Sequence, residues 1–209
     1  RTEIPGWDFN AVKKQGQDAW VKELNKMVIT GDEETKQNFY TSVYHTYINP
    51  TVYMDVNSEY KGLDQNTHKA AGFTNYTTFS LWDTHRALHP LFNIIQPRRN
   101  ADMINSMLAH YDESVHKLLP VWSNSANENW CMIGYHSVSV IADAVVKGVK
   151  GFDAIRALDA CVATAKHKSY DGLAYYMEMG YVPEDKNGSS VSKTLEYAYD
   201  DWCIAQMAK

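Results

Sequence analysis

The 209-residue sequence predicts an all-α domain whose helices run in antiparallel pairs. Three observations lead there. Apolar residues recur at helical spacing through most of the chain. Segments that are apolar nearly all round alternate with amphipathic ones. The long, irregular, aromatic connections fall on alternate links between helices. Concentric rings of helices with their long loops at one mouth give this pattern, and no fixed-period repeat points to a solenoid.

Asp8 is placed to cap a first helix reaching about Ile29, with Phe9, Val12, Ala19, Trp20, Leu24, Met27 and Val28 on its apolar face. Thr30-Gly31-Asp32 reads as a stop followed by a new cap. The second helix, about 33–48, carries Phe39, Tyr40, Val43, Tyr44 and Tyr47, and Asn49-Pro50 ends it. Between Thr51 and Thr77 the periodicity lapses, and 52–54 and 73–76 are candidate short strands. A loop of this length inside a compact domain points to function. A third helix is expected over 78–95, kinked or tightened at Pro90. The fourth follows Gln96-Pro97 to about Leu118, with Met103, Met107, Leu108, Tyr111 and Val115 inward. The fifth, about 131–148, is apolar on nearly every side, which expects a cover from a larger assembly. The sixth, about 152–168, is amphipathic, with Ile155, Leu158, Val162 and Ala165 facing in. Gly172, Gly180, Pro183 and Asn187-Gly188 mark a loop, and a last helix starts near Ser190. The total is about seven helices.

Composition narrows the function classes. Hydrophobic residues at 44% and charged residues at 22% are ordinary for a globular domain. The 25 acids outnumber the 20 bases and no basic run occurs, which speaks against a nucleic-acid partner. The longest mostly apolar stretch, Trp130 to Val146, contains His136, Asp143 and several serines, so it reads as a buried helix and no membrane association is expected. Cys131, Cys161 and Cys203 are far apart and form no CxxC pair or disulfide framework. The 14 Tyr and 6 Trp suit sugar sites and helical cores alike. The chain opens without Met and ends inside a helical pattern, so it is expected to be a piece of a longer polypeptide.

The chemistry concentrates between Leu119 and His136, where Glu128 stands between Trp122 and Trp130 in a run of small polar residues. A carboxyl group beside apolar rings loses hydration and its pKa rises, as a general acid requires. The competing reading is a helix-start acid facing free N–H groups. Asp83 and Arg86 share one helix face, as sugar-hydroxyl ligands or as a structural brace. His85 and His89 have the spacing of two zinc ligands but no third, and are read as helix-face histidines. Glu196, Asp200 and Asp201 repel one another on one helix and need solvent, basic partners or a hard cation. Asn75-Tyr-Thr and Asn187-Gly-Ser fit the N-glycosylation pattern, which chance also produces.

Four stretches, FYTSVYHTYINP (39–50), YTTFSLWDTHRALHPL (76–91), LPVWSNSANENWCMIGYHSV (119–138) and SVSKTLEYAYDDWCIAQ (190–206), resemble the catalytic domain of glycoside hydrolase family 92, the calcium-dependent inverting exo-α-mannosidases. The resemblance implies part of an (α/α)6 barrel, preceded by a β-sandwich domain and completed by further barrel helices, both absent from this chain. It implies hydrolysis of terminal α-linked mannose from a glycan, with inversion and with Glu128 as the acid. It implies a base carboxylate in a motif beyond Lys209, so that the fragment alone is inactive. It implies a mannose site lined by Trp82, Asp83, Arg86, Trp122, Asn127, His136, Asp200 and Asp201. A calcium ion is implied, and so is a secreted, periplasmic or cell-surface location; the resemblance does not assign the ion's ligands, and Glu196, among the clustered acids of the last helix, is taken here as the candidate. The family's G-N-E-T run is replaced by Ala126-Asn127-Glu128-Asn129, and Lys186 to Ser189 lacks a His-Glu pair, which leaves the linkage open. Two alternatives stand beside this reading: a non-catalytic helical carbohydrate-binding module, and another (α/α)6 glycosidase without calcium.

Overall fold

Three helices start at aspartates whose side chains accept from the free amides of the first turn. Asp8 accepts from Asn10 and Ala11 and opens α1 (Phe9–Leu24); Asp32 accepts from Thr35 and opens α2 (Glu33–Thr46). Asp153 does the same much later in the chain. The computed structural model describes residues 4 and 6–209, so most of the opening RTEIP segment lies outside the described residues. It divides into two compact units, up to Ile48 and from Asn49 on.

The first unit is the α1–α2 pair. Trp20 packs against Tyr44 at 4.7 Å between ring centroids and against Tyr47 at 6.1 Å. The Tyr40 hydroxyl donates to the Met27 carbonyl at 3.1 Å. No residue of α1 is buried, although its apolar positions have helical spacing.

The second unit begins with the long aperiodic stretch, which folds as short antiparallel ladders. In the first, β1 (Thr51–Val52) pairs with β4 (Tyr76–Thr77), Thr51 opposite Thr77. Between them stands a hairpin, β2 (Glu59–Lys61) with β3 (Thr67–Lys69), where the lapse of periodicity predicts loop. Gly62 leaves room there for its neighbours: a Cβ would lie 2.6 Å from the His68 ring and 2.7 Å from Glu113 Oε2, so those side chains would have to shift.

The expected third helix does not form as one piece. Its start is β5 (Phe79–Ser80), followed by one turn, α3 (Leu81–Thr84), and then α4 (Leu88–Ile95). Because the break falls at Ala87, Pro90 lies in the first turn of α4, where its missing N–H and fixed φ cost nothing, and no kink results. The fourth helix is α5 (Pro97–Glu113), with Met103, Ile104, Met107 and Leu108 fully buried. After β6 (Trp122–Ser123) comes α6 (Ser137–Val146), six residues later than expected. Trp130 and Gly134 hold positive φ (53° and 78°), which keeps that segment non-helical. The anticipated outside cover is supplied within the chain: α6 packs chiefly on α9 (Ser190–Met207) and also touches α4, α5 and α7 (Ala154–Ala165). The face α7 buries is small (Ala157, Ala160, Cys161), so helices approach closely there.

An eighth helix, α8 (Leu173–Met179), occupies what read as loop, between two left-handed glycines, Gly172 and Gly180. The expected seven helices thus become nine among the described residues, through the split of the third into α3 and α4 and the addition of α8. None of them is long and apolar enough to cross a membrane.

Candidate active site

Three segments of the second unit converge. The β5–β6 ladder sets Ser80 opposite Trp122 and Phe79 opposite Ser123, and the Leu81 amide donates to the Val121 carbonyl at 3.3 Å. This joins the turn bearing Trp82 and Asp83 to the loop bearing Glu128. Helix α9 joins through side chains: Trp82 Nε1 donates to Glu196 Oε1 at 3.1 Å, and Glu196 Oε2 faces His136 Nε2 at 2.8 Å.

Glu128 folds back onto its own loop. Oε1 accepts from the Trp122 amide at 2.8 Å and the Trp130 amide at 3.1 Å, and Oε2 accepts from the Val121 amide at 3.0 Å. The tryptophans flanking it therefore act through their backbones. Its side chain is 3% exposed, and this burial raises its pKa against the lowering effect of the amide donors. Neighbouring Asn127, Asn129 and Trp130 are exposed, so the carboxyl lies directly beneath the surface. The Asn127 carbonyl closes a turn by accepting from the Asn124 amide at 2.9 Å. Behind the carboxyl, His110 of α5 presents Nε2 at 3.6 Å from Oε2.

The second cluster is built on His136. Its Nδ1 faces Asp200 Oδ1 at 3.0 Å, and Asp200 Oδ2 accepts from the Tyr135 amide at 3.0 Å. The Tyr135 hydroxyl donates to Asp201 Oδ1 at 2.7 Å. Burial opposes charge on His136, but the bonds and charges of Asp200 and Glu196 outweigh it and raise its pKa. His85 stacks on His136, 4.0 Å between centroids and 11° between planes. Burial, with the His136 charge beside it, lowers the His85 pKa to about 4. The acids of α9 are thus compensated by histidine and tyrosine, and Asp200 is fully buried.

Asp83 and Arg86 share a face but do not pair. Asp83 accepts from the Ser80 hydroxyl, while Arg86 lies over the Trp82 ring at 4.8 Å and donates from Nε to the Trp82 carbonyl. Both are exposed beside the His136 cluster. His89 is buried, with its Nδ1 against Asn100 Oδ1 at 2.7 Å, so it is a core residue and not on an exposed helix face. Asn75 is buried and donates to the Tyr53 carbonyl, which removes it as a glycan acceptor.

Among the described residues no three of His, Cys, Asp and Glu converge to hold an ion. Both oxygens of Glu196 already accept from protein donors, whereas calcium takes six to eight oxygen ligands.

His110 and Tyr135 were not legible as site residues. His110 sits at helical spacing from Met103 and Met107 on an apolar face, and a histidine on such a face is the signal that marks it. A further polar group stands apart, where the Tyr60 hydroxyl donates to Glu113 at 2.5 Å and His68 meets Asp64 at 2.9 Å, beside a cavity of about 760 Å³.

Comparison with known proteins places this geometry. The model of the glycosyl hydrolase family 92 catalytic domain matches residues 1–209. A solved family GH92 α-mannosidase from Bacteroides thetaiotaomicron is 58% identical, with TM-score 0.97 over 99% of this chain and 28% of its own; it has also been solved in complex with mannoimidazole. A family GH92 inverting mannosidase from Bacteroides thetaiotaomicron VPI-5482 is 34% identical, with TM-score 0.89 over 99% of this chain and 29% of its own. An uncharacterized secreted glycosidase of Arthroderma benhamiae is 25% identical over 99% of this chain and 25% of its own length. The chain therefore spans about a quarter of the length of these relatives, and its fold is part of an (α/α)6 barrel.

Proposed function

The chain belongs to glycosyl hydrolase family 92, and from that premise we propose that it is part of an enzyme releasing terminal α-linked mannose from glycans. The observation that carries the reading is the match over nearly the whole chain to an α-mannosidase at 58% identity. Glu128 is the proposed general acid. Burial favours its protonated form, and on bond cleavage the proton passes to the departing glycosidic oxygen while water attacks the opposite face with inversion. The carboxylate that activates this water is proposed to lie outside these 209 residues.

Asp83 and Arg86, exposed and polar, are proposed to bond sugar hydroxyls, with Trp82 and Trp122 as apolar surface and Asn127 beside the leaving group. His136, Asp200 and Asp201 are proposed to hold the wall of that site through the bonds described above. Calcium dependence is proposed for the full-length protein alone, with ligands supplied mainly from outside this chain, and no step here uses the ion. A β-sandwich domain in the same polypeptide, and secretion or a cell-surface location, complete the proposal.

The test is an assay of the full-length protein on aryl α-mannosides and α-linked mannobioses beside Glu128→Gln. We expect mannose release, and in the variant a loss of about 10²–10⁴-fold on mannobioses with activated aryl substrates largely spared. A second reading, a non-catalytic carbohydrate-binding module, is favoured by the three amides on Glu128, since a purely structural carboxylate is held the same way. It expects sugar binding without turnover and indifference to Glu128→Gln.

A further inference from the structure

We infer that His110 is a positioning residue for Glu128, its Nε2 lone pair accepting the carboxyl proton and so holding the acid in its protonated form. The inference rests on the reading of Glu128 as the acid. It starts from a count of donors. The hydrogen-bonding groups on Glu128 described above are all amide donors, which suit an ionised carboxylate. A protonated carboxyl needs an acceptor for its own O–H. Buried His110 Nε2 has no hydrogen-bond partner and stands 3.6 Å from Oε2, so a closure of about half an ångström makes the bond. The two orphans satisfy each other: the proton on Oε2 and the lone pair on Nε2. This assigns the imidazole hydrogen to Nδ1.

The alternative, an imidazolium–carboxylate ion pair, does not fit the surroundings. Burial lowers the His110 pKa to about 3, so the ring is neutral at working pH. The other titratable groups near the pair are engaged elsewhere. Glu113, one turn further along α5, accepts from Tyr60, and Tyr170 donates to the Gly134 carbonyl at 2.8 Å. His116, exposed, sits edge-on to the Trp130 ring. During turnover the proton leaves Glu128 Oε2 for the glycosidic oxygen and is regained from water. His110 neither gains nor loses one.

The experiment is a pH titration of the full-length protein by difference infrared spectroscopy, with the Glu128→Gln spectrum subtracted so that the Glu128 carboxyl band is isolated. In the unmodified protein a protonated, hydrogen-bonded carboxyl band is expected to persist well above the ordinary glutamate range. Glu128 ionised throughout overturns the inference without any variant. His110→Phe keeps a ring but removes the acceptor, and is expected to lower the Glu128 midpoint at least tenfold in proton affinity. His110→Met repeats the test with a flexible side chain if the phenyl ring does not fit. An unchanged or raised midpoint in a folded variant overturns the inference, because a donor at Nε2 shifts it the other way. Activity supplies the second readout. The alkaline limb of kcat/KM on mannobioses should move to lower pH in the variants, with activated aryl substrates unmoved. If the carboxyl midpoint falls while Glu128→Gln still cleaves mannobioses, the pair stands and the acid assignment fails.

Discussion

The carboxyl of Glu128 is held by Val121 and Trp122, seven and six residues before it, and by Trp130, two after. Removing it leaves one buried and two part-buried N–H groups without this acceptor, the buried one costing about 1–3 kcal/mol and the others less. Glu128→Ala is therefore expected to destabilise the protein clearly more than Glu128→Gln, which keeps one acceptor oxygen. Urea denaturation of both variants checks this, and equal losses would mean the amides are not held by the side chain. The sequence drew notice to Glu128 as a lone acid in a small polar run between aromatics, but that pattern suits a helix-start acid at least as well, and the family resemblance is what singles it out. It did not reveal how the group is held. Sequence spacing rules describe helices and strands, and a side chain bending back onto its own loop has no period. His110 was hidden for the opposite reason, because it keeps perfect helical register with the apolar residues around it.

Helix α9 is tied to the start of α6 by Asp200, whose two oxygens serve the Tyr135 amide and His136. Asp200→Ala would leave a charged histidine and an amide buried without their partner, at a cost of about 3–5 kcal/mol. Asp200→Asn, which can still accept from one of them, should cost less; thermal unfolding ranks the two. At α8 the glycines carry the boundary. Gly180 has φ of 77° with open space around its α-carbon, so Gly180→Ala should cost about 1–2 kcal/mol through backbone strain alone. Gly188→Ala, at an unstrained exposed position, should be nearly neutral in the same measurement. These glycines explain the missed helix: two loop signals eight residues apart outweighed a short apolar run. The long helices α5 and α9 were legible because an unbroken period runs through each. The α3–α4 break was not, because a tertiary ladder between β5 and β6 overrides a continuous helical pattern.

Taken as a whole, the molecule buries neutral histidines, and this sets its acid stability. His85 and His89 have pKa values lowered to about 4, and His110 to about 3, burial being the first cause in each. Below an unfolded value of about 6.5 the unfolded chain binds a proton at each that the native state refuses. Stability should therefore fall as pH drops from about 6.5 toward 4, and His89→Gln should flatten part of that slope. His136 has the opposite sign. Its raised pKa contributes stability that is complete below the unfolded value and is lost as pH rises through the folded one. His136→Gln should remove that alkaline decline. Unfolding free energies measured from pH 4 to 9 on the three proteins test both signs. At this scale the helical class and the alternation of long connections were readable from hydrophobic period. The meeting of segments 79–86, 121–136 and 196–201 was not, since nothing local encodes which distant loops touch.

A carboxylate that reads backbone amides is indifferent to the side chains those amides carry. The exposed or half-buried positions 122 and 130 should therefore tolerate other side chains without loosening Glu128, whereas Val121, itself buried, is constrained by packing. A library randomised at 122 and 130 should yield folded proteins of altered linkage preference far more often than one randomised at 128 yields active ones. On the proposed reading, the anchoring of Glu128 and the choice of substrate would be written in separate letters of the same loop.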